Sequence, residues 1–432
     1  MTQEKSQLIS KEKEFQEAKL SIKNTEQLSR EIENSVSGDI TVLASALMFG
    51  AIALNASDIH LEPEAERVKV RVRLDGVLHD VSFLQSITYD GLLSRLKLFS
   101  GLKLNVRTRP QDGRFSVSAG AEKVEIRTST LPSEYGETVV MRLLNPKNLV
   151  SLEDLGLRED ILAVLKKEIS QPNGMIIVTG PTGSGKTTTL YAILKKLNKP
   201  EKKIITIEDP IEYHLEGVSQ SQVEPEKGYD FITGLQTIVR QDPDVILVGE
   251  IRDPGTAKIA TQAAMTGHLV LTTLHTNDAA GTIARLQALG EKSANIGPAL
   301  NLSIAQRLVR KVCPKCVKMK NVSQEELSVL LKEVGDLSKK ITGIQAISKA
   351  TKIPQTQGCS ECNNTGYKTR TGIYEFFIVD DIMENFIATT PTIAEIKAKA
   401  IERGMFTMKQ DGLIKVLQGI TTLEEVQRET GL

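Results

Sequence analysis

Residues 180–187, with the sequence GPTGSGKT, have the types and spacing of a phosphate-binding loop. In the pattern G-x-x-x-x-G-K-[ST], the glycines let backbone N–H groups close around phosphate oxygens, the lysine adds a positive charge, and the hydroxyl can bind Mg²⁺. The residues expected to bind the nucleotide are those of the loop and the next position along the chain: Gly180, Pro181, Thr182, Gly183, Ser184, Gly185, Lys186, Thr187 and Thr188. Among these, Thr187 is the expected Mg²⁺ ligand.

The elements on either side of this loop are those that the motif requires. Residues 175–179 form an apolar run of strand type, and residues 186–197 have apolar positions at the spacing of one helical face. A helix that begins at the end of the loop adds the partial positive charge of its N-terminus. A chance glycine-rich turn is the alternative, and both flanks disfavour it. The stretch therefore predicts a site for a nucleoside triphosphate with Mg²⁺.

Three further apolar runs follow, and each is followed by polar residues. The runs are residues 204–207, 245–248 and 269–274. Buried strands of this kind predict a parallel α/β sheet, in which ligands bind beyond the carboxyl ends of the strands. Glu208 follows the first run, and Glu250 follows the second, where most P-loop enzymes place an aspartate on Mg²⁺.

A carboxylate at such a strand end can hold Mg²⁺ through water or orient the attacking water. Glu208 and Glu250 could divide these two roles, and the sequence leaves their assignment open. Glu212 and Asp253 follow the same two strands and are either part of the site or surface charges.

Two histidines bracket the third run, with His268 before it and His275 after it. A spacing of seven residues puts them on opposite sides of a straight strand, and no third metal ligand accompanies them. We therefore interpret both as hydrogen-bonding groups near phosphate or at an interface. A purely structural role is the alternative.

The cysteines of the chain fall in two C-x-x-C pairs: Cys313, Cys316, Cys359 and Cys362. Two such pairs are the pattern of a zinc site with four thiolate ligands, which leaves no open position for catalysis. Disulfides are the alternative, but nothing in the sequence indicates an oxidising compartment. The residues between the pairs carry their own helix signal, because Ser323 and Glu326 have the spacing of a capping box.

Residues 1–37 are polar and mixed in charge. Leu8, Phe15 and Ile22 recur every seven residues, which indicates one short amphipathic helix. Because the region has so few apolar positions, the composition favours a solvated tail instead. Its charges exclude a secretory signal.

Residues 38–149 predict a separate α+β domain. The predicted helices are 40–54 and 92–98. The predicted strands are 68–74, 77–83, 114–117, 124–129 and 138–144. The first two strands form a hairpin through Asp75 and Gly76, a dipeptide that favours tight turns.

Two segments of this domain stand out, ASDIHLEP at 56–63 and RPQDGR at 109–114. The first is interpreted as a turn into a strand, with His60 an ordinary hydrogen-bonded histidine. The second is interpreted as a tight turn with an arginine at each end. An arginine on a rigid turn can reach phosphate, although a solvated surface arginine is more common.

The composition argues against two classes of protein. Lys+Arg and Asp+Glu both number 54, and aromatic residues make up 4% of the 432 residues. The chain thus lacks the basic excess and the stacking platforms of nucleic-acid-binding proteins, and no nucleic acid partner is expected. It contains no apolar run long enough to span a bilayer. We expect a cytoplasmic protein, and any contact with a membrane would be peripheral.

Taken together, the motifs resemble those of the secretion ATPase superfamily, in particular the GspE/PilB type of assembly ATPase of type IV pili and type II secretion. The resemblance extends from residue 56 to the C-terminus. The segments that carry it are ASDIHLEP (56–63), RPQDGR (109–114), GPTGSGKT (180–187), IEDPIEY (207–213), RQDPDVILVGEIRD (240–253), TGHLVLTTLHTNDA (266–279), QRLVRKVCPKC (306–316) and GYKTRTGIYE (366–375). These segments are specific jointly and not one by one.

The resemblance implies a RecA-like ATPase domain hinged to a smaller, PAS-like α+β domain, in a homohexameric ring of cytoplasmic protomers. ATP would bind between the domains, and domain rotation would be passed to an inner-membrane platform protein that extrudes or retracts pilin subunits. The cysteine pairs favour an assembly motor, since retraction ATPases of this family generally lack them. A membrane-complex adaptor is expected to bind the N-terminal tail, where about fifty residues stand in place of the family's large docking domain.

The resemblance also assigns roles to single residues. The family's Asp box contains three acidic residues of this chain: Glu208, Asp209 and Glu212. Its His box contains His268 and His275, and its Walker B motif contains Glu250. Arginines of the N-terminal domain complete the site in such enzymes, and Arg114 and Arg127 are the candidates here.

We therefore predict an α/β protein with ATP, Mg²⁺ and Zn²⁺ as its cofactors. Its predicted regions are a tail (1–37), an N-terminal α+β domain (38–149), a RecA-like ATPase domain (150–312), a zinc-binding subdomain (313–372) and a C-terminal helical region (373–432). The predicted function is ATP hydrolysis that powers assembly of type IV pilus filaments, with the type II secretion pseudopilus as the alternative. A nucleic-acid translocase on the same core is disfavoured by charge, and a nucleotide sensor without turnover would not require Glu208 and Glu250.

Overall fold

The computed structural model of the chain describes residues 7–8, 12–119, 122–335, 337, 341, 344 and 346–431. These residues divide into two compact units. The first unit contains the chain up to Asn148 together with Cys313–Cys316 and Gln357–Lys368, and the second contains the rest. The cysteine-rich segments therefore belong with the first unit, although they lie late in the sequence. The predicted domain boundaries remain predictions.

The first unit is a layer of helices on one mixed sheet. Its helices are α1 (Glu12–Ser21), α2 (Thr25–Ser35), α3 (Ile40–Ala53) and α4 (Ser86–Phe99). Its strands are β1 (Gln7–Leu8), β2 (Asp58–Pro63), β3 (Val68–Leu74), β4 (Val77–Leu84), β5 (Gln111–Ala119), β6 (Glu122–Ser133) and β7 (Gly136–Leu144), in the order β1-β5-β6-β7-β2-β3-β4. In β3 the valines are buried and alternate with charged residues, so one face of the sheet packs on α3 and α4.

Helices α1 and α2 replace the predicted solvated tail. Phe15 and Ile22 are buried, as are Leu28 and Ile32, which lie four residues apart on one face of α2. Leu8 lies in β1, so the seven-residue repeat does not form a single helix. The solvated tail is wrong, and the interpretation as a short amphipathic helix is confirmed in part, because two helices form and bury these apolar residues against the core. The remaining N-terminal positions of the predicted tail lie outside the described residues.

The other predicted elements of the first unit are present, with longer β5, β6 and α4 than expected. The tight turn predicted at 109–114 is wrong, because Gln111 to Arg114 belong to β5. Gly113 shows why this strand carries a glycine. An added Cβ at Gly113 would lie 2.2 Å from the Ser100 carbonyl oxygen, so only a glycine lets β5 pass the end of α4.

The second unit has helices on both faces of a second sheet. Its strands are β8 (Gly174–Thr179), β9 (Ile204–Glu208), β10 (Ser219–Gln222), β11 (Val245–Val248), β12 (Leu269–Leu274), β13 (Leu300–Val312), β14 (Lys318–Asn321), β15 (Lys352–Gln355) and β16 (Tyr367–Ile378). Its helices are α5 (Glu159–Glu168), α6 (Lys186–Leu197), α7 (Phe231–Val239), α8 (Pro254–Met265), α9 (Gly281–Ala288), α10 (Ser293–Ala299), α11 (Gln324–Val334), α12 (Asp381–Ala388), α13 (Ile393–Glu402), α14 (Met408–Leu417) and α15 (Leu423–Thr430).

The large sheet of this unit has the strand order β10-β9-β11-β12-β8-β13-β16. Strands β8 to β13 pair in parallel, so the prediction of a parallel α/β sheet is confirmed. The apolar side chains of β8, β9, β11 and β12 are buried and contribute to a hydrophobic core on each face. Because these strands run in the same direction, their carboxyl ends meet at one edge, where the predicted site residues follow them.

The predicted helix after the first cysteine pair is α11, and its capping box is confirmed. Ser323 accepts from the Glu326 N–H, and Glu326 bonds back to the Ser323 N–H. The predicted C-terminal helices are α12 to α15. Helix α14 is tied to the sheet by a buried charge network, in which the Asp411 carboxylate accepts from Arg158 and Lys415 at 2.6 and 2.7 Å.

Candidate nucleotide site and cysteine cluster

The loop between β8 and α6 adopts a backbone that requires glycine. Gly180, Gly183 and Gly185 have φ angles of 146°, 81° and 89°. An added Cβ at Gly180 would lie 2.5 Å from the Gln306 carbonyl oxygen, so a side chain at this position has no room. The loop leads directly into α6, whose N-terminal N–H groups favour an anion. This backbone suits a phosphate group.

Lys186 lies at the start of α6 and folds over the loop. Its Nζ donates to the carbonyl oxygens of Gly180 and Pro181, at 2.7 and 3.2 Å. Burial lowers the pKa of Lys186, and the negative charge of Glu250 acts in the opposite direction. The Nζ group therefore lies between two backbone carbonyl oxygens, whose place as its partners a bound phosphate can take. Thr187 follows in the first turn of α6.

Ser184 provides an independent test of whether a phosphate fits. Its side chain is 3% exposed, and its Oγ has no hydrogen-bond partner among the described residues. A buried hydroxyl without a partner costs roughly 1–3 kcal/mol, which a bound oxygen-rich ligand would recover. The loop glycines, the lysine and this hydroxyl all fit a nucleotide phosphate.

Glu250 and His275 meet at the carboxyl ends of β11 and β12. One Glu250 oxygen lies 2.6 Å from the Arg252 guanidinium, and the other lies 3.5 Å from His275 Nε2. The two strand ends are joined because Thr273 Oγ1 donates to the Gly249 carbonyl at 2.8 Å. The negative charge of Glu250 also interacts with Lys186. The structure therefore brings the lysine, this carboxylate and His275 close together.

Glu208 lies at the end of β9 but is used differently. Its side chain is buried and accepts from Tyr191 OH, Thr206 Oγ1 and Gln220 Nε2, at 2.5, 2.6 and 3.3 Å. Burial and the Glu208 charge raise the pKa of Tyr191, so the phenol stays a donor. Glu208 is thus buried and bound through both oxygens to neutral protein groups, whereas the Glu250 side chain is 12% exposed.

The remaining predicted residues of this unit lie in the segments that follow β9 and β11. Asp209 directly follows β9, and Glu212 lies further along the same loop before β10. Asp253 is the N-cap of α8 and accepts from the Thr256 N–H at 2.8 Å, so its carboxylate has a structural role there.

His268 does not lie with the others. It precedes β12, where its Nδ1 is 3.1 Å from the Ala263 carbonyl and its own carbonyl accepts from Gly174 N–H. A six-residue strand separates this position from the carboxyl edge by roughly 20 Å. Within this chain, His268 is therefore far from Lys186 and Glu250.

The candidate arginines of the first unit are neighbours across strands. Arg114 of β5 pairs with Arg127 of β6, which in turn pairs with Arg142 of β7. Residues in such register lie on one face of the sheet. The last arginine is held by Asp58, whose carboxylate accepts from its Nε at 3.0 Å. A positive row of side chains thus extends over three strands.

His60, from the same unit, corrects an expectation. Its Nε2 is buried and has no hydrogen-bond partner in the described part of the chain, and its Nδ1 lies 3.7 Å from Glu62. The interpretation as an ordinary hydrogen-bonded histidine is therefore wrong. Burial lowers its pKa, which favours the neutral ring.

The cysteine side chains converge on one point, as the two C-x-x-C pairs predict. All four Sγ atoms lie within 4.8 Å of one another, with closest separations of 3.7 to 3.9 Å. Four sulfur atoms bound tetrahedrally at ~2.3 Å from zinc would lie about 3.8 Å apart. Backbone N–H groups of Cys359 and Gly366 donate to Cys362 Sγ, which suits a thiolate. The donor set and its spacing fit zinc.

Sequence reasoning missed Gln306, which supports the phosphate loop from β13. Its buried side chain donates to the Ser184 carbonyl at 2.7 Å and accepts from Thr189 Oγ1 at 2.7 Å. It also missed the Tyr191 hydroxyl on Glu208. Neither residue belongs to a motif with known chemistry, and the only signal was the place of Gln306 in the segment QRLVRKVCPKC.

The fold and the site define a RecA-like P-loop nucleotide-binding protein. Among the described residues, no helix combines the length and apolar character needed to cross a membrane. The sequence pattern of one family, described as type II/IV secretion system protein, matches residues 33–428. The chain belongs to this family.

Individual relatives agree with this membership. The chain is 44% identical over 381 residues to the type IV pilus assembly ATPase PilB of Thermus thermophilus, covering 88% of this chain and 42% of that protein. It is 44% identical over 389 residues to the type II secretion system protein E of Dickeya dadantii, covering 90% and 75%. It therefore spans less than half of the first relative and three quarters of the second.

The solved structures include the pilus retraction motor PilT with bound ADP, which superposes with a TM-score of 0.59 at 28% identity. The match covers 89% of this chain and 95% of that one. The predicted family and the predicted fold class are thus confirmed.

Proposed function

We propose that this protein is an ATPase whose hydrolysis of ATP powers assembly of type IV pilus filaments. The observation that carries the proposal is the meeting of Lys186, Glu250 and His275 beside a phosphate loop, in a chain that belongs to the type II/IV secretion system family. A module that only binds nucleotide needs the loop, but it does not need a carboxylate and a histidine poised beside it.

Glu250 is proposed to orient the attacking water. One of its oxygens is engaged by Arg252 and the other by His275 across a longer distance, so the carboxylate is held in place while it keeps capacity to accept from water. His275 is proposed to fix this carboxylate and to stabilise charge near the terminal phosphate. Glu208 is proposed to shape the strand end through Tyr191.

The phosphate loop is proposed to bind ATP through its N–H groups, with Lys186 on the outer phosphates and Thr187 as the Mg²⁺ ligand. When bound, Mg²⁺ supplies positive charge to the phosphate oxygens. Asp209 and Glu212 are proposed to face the nucleotide from the loop after β9. Arg114 and Arg127 are proposed to complete the phosphate site, and His268 to act at an interface.

The cysteine cluster is proposed to hold one structural Zn²⁺ per chain. Its four thiolates would complete the coordination, and the ion would supply a crosslink between two segments that are distant in sequence. No step of hydrolysis requires it.

The working assembly is proposed to be a homohexamer at the cytoplasmic side of the inner membrane. Its proposed partners are a platform protein of the pilus machine and a membrane-complex adaptor that contacts the N-terminal helices. The support comes from the family and from the names of the pilus relatives, PilB and PilT.

A type II secretion motor is the second candidate, because sequence identity supports it as strongly as it supports the pilus motor. The identity to the Dickeya secretion protein E is 44%, the same as to the Thermus pilus ATPase. Both machines would use the same nucleotide site, so residues of that site do not distinguish them.

The test is a Glu250→Gln allele in the native host, with Glu226→Gln as the control. Glu226 is an exposed glutamate of the same unit. We expect Glu250→Gln to abolish surface filaments and to leave the secreted proteins unchanged. Secreted proteins trapped inside the cell with filaments intact would establish the secretion motor. A host in which neither process changes would contradict both candidates.

A further inference from the structure

The segment after His275 is held by side chains from three strands. The Thr276 N–H donates to Thr179 Oγ1 of β8 at 2.8 Å. The Ala279 carbonyl accepts from Ser303 Oγ of β13 at 3.1 Å, and the Ala279 N–H donates to Glu375 Oε1 of β16 at 2.9 Å. We call residues 276–280 the histidine-box loop. Its backbone is thus anchored immediately beyond the histidine that faces Glu250.

Glu375 is the unusual anchor among these three. Its side chain is 1% exposed, and it ends the segment GYKTRTGIYE, to which the proposed hydrolysis gives no role. Burial raises its pKa, while hydrogen bonds from the Ala279 and Met408 backbones and the charge of Lys397 act against that rise. A carboxylate is costly to bury, and this one is positioned to accept backbone N–H groups.

A second charged contact supports the same loop. Lys397 of α13 donates to Asp278 Oδ2 at 3.0 Å, and Asp278 Oδ1 accepts from the Gly281 N–H at 2.9 Å. Thr276 Oγ1 in turn donates to the Asp278 carbonyl at 2.9 Å. The loop therefore has few backbone positions that can shift without breaking a bond to the sheet or to the C-terminal helices.

The position of His275 depends on this loop. The ring is half exposed, and its Nε2 lies 3.5 Å from Glu250. The backbone on each side positions the ring, with β12 before it and the histidine-box loop after it. A shift of about 1 Å near a reacting group can cost roughly 100-fold in rate.

We propose that Glu375 is a positioning residue for hydrolysis, which fixes the histidine-box loop and thereby holds His275 against Glu250. This inference rests on the proposed ATPase function and on the role of His275 in it. It assigns a function to the segment GYKTRTGIYE. The buried carboxylate of Glu375 accepts a hydrogen bond from the backbone of the histidine-box loop, which lies almost one hundred residues earlier in the sequence.

The test compares three variants of the full chain. Glu375→Leu removes both acceptor oxygens, whereas Glu375→Gln keeps one oxygen for the Ala279 N–H. Glu425→Leu is the matched control, because Glu425 is also 1% exposed and paired, with Arg310, but does not contact the loop. The measurements are kcat at saturating ATP, the Kd of a fluorescent ATP analogue, thermal unfolding, and hydrogen exchange at the Ala279 amide.

We expect Glu375→Leu to lower kcat roughly tenfold with Kd changed less than twofold, because the loop, and not the phosphate site, is released. Glu375→Gln should recover most of the rate. The Ala279 amide should exchange faster in Glu375→Leu and at the wild-type rate in Glu425→Leu. An equal loss of kcat in both leucine variants would overturn the inference.

A double-mutant cycle with His275→Ala separates this inference from the proposed function. If Glu375 acts through His275, Glu375→Leu should lower kcat no further in the His275→Ala background. If the losses in kcat from the two single variants instead multiply in the double variant, Glu375 does not act through His275. That result would overturn the inference, while the ATPase proposal would stand. Full activity of both Glu250→Gln and His275→Ala would instead overturn the proposed function.

Discussion

The phosphate loop and the cysteine cluster are both built to hold a charged group, but they are assembled in opposite ways. The loop is eight consecutive residues, and it works through its backbone conformation and the start of α6. The cluster takes its ligands from two segments separated by residues 317–358. The chain runs between these segments through β14 and β15, which pair in antiparallel fashion from Lys318 to Gln355.

The difference concerns what each site depends on. A consecutive loop needs only its local conformation, which glycines and a helix N-terminus provide. A divided site also needs the intervening chain to fold and return. The loop should therefore respond to changes in charge, whereas the cluster, if it holds the proposed zinc, should respond to chelation or to loss of any one cysteine.

The largest effect is expected from Lys186→Ala. Removing this charge from the phosphate loop should lower ATP turnover at least ~100-fold, the scale at which one charge-stabilising group contributes to catalysis. A coupled-enzyme assay measures it, with Lys195→Ala as the control, because Lys195 lies at the exposed end of the same helix. Unchanged turnover in Lys186→Ala would remove the phosphate-loop argument.

The next effect is expected from Cys313→Ser combined with Cys316→Ser. Metal analysis of freshly purified wild-type protein should find about one zinc per chain, and the variant should bind none. The variant should lose at least ~2 kcal/mol of unfolding free energy, a fraction of what structural zinc contributes in small fingers. Chelation of the wild type should reproduce the loss. Absence of zinc from the fresh wild-type protein would sink the tetrathiolate assignment.

Gln306→Leu tests whether the phosphate loop is as independent as its sequence suggests. The change leaves the Ser184 carbonyl without its donor, and a lost buried hydrogen bond of roughly 1.4 kcal/mol corresponds to about tenfold weaker nucleotide binding. Titration with a fluorescent ATP analogue measures this.

Thr189→Val is the matched control for Gln306, because it removes only the hydrogen bond on the far side of the glutamine. It should weaken binding less. Equal affinity in the wild type and Gln306→Leu would mean that the loop holds its shape without help from β13.

The smallest effect is expected where the cluster meets α2. Asn363 follows the last cysteine, and its Oδ1 accepts from the Thr25 N–H and Oγ1 at 2.7 and 3.1 Å. Asn363→Gly keeps a residue that tolerates φ of 50° but removes the acceptor, so stability should fall by ~1 kcal/mol. Thermal unfolding and hydrogen exchange at Thr25 measure the change.

Asn364→Gly is the control, because Asn364 has a similar φ of 58° and makes none of these bonds to Thr25. Chelation should speed exchange at Thr25 in the wild type. Identical exchange rates at Thr25 with and without metal would show that metal binding in the cluster does not stabilise the N-terminal helices.

Features that show a local pattern of residues were predicted from the sequence, whereas features that depend on contacts between distant residues were not. The phosphate loop, the strands β8, β9, β11 and β12, the cysteine ligands and the capping box of α11 were all predicted, because each has a local pattern. The N-terminal helices were disfavoured against a solvated tail, because their few apolar residues stabilise a helix only when a core is present to bury them. Gln306 and Glu375 were missed because each acts on a residue roughly one hundred positions away.

By itself, the sequence determined the conformation of the phosphate loop and the set of side chains that could hold zinc, because glycine geometry and thiolate chemistry are properties of the residues themselves. Only the tertiary structure distinguishes the surroundings of Glu208 from those of Glu250, since both glutamates end apolar strands and look alike in sequence. The packing surrounds Glu208 with Tyr191, Thr206 and Gln220, and it leaves Glu250 beside Lys186 and His275. The sequence already placed His268 and His275 at the two ends of one strand, and the parallel pairing of β12 with β8 then put the His275 end at the edge where the phosphate loop begins.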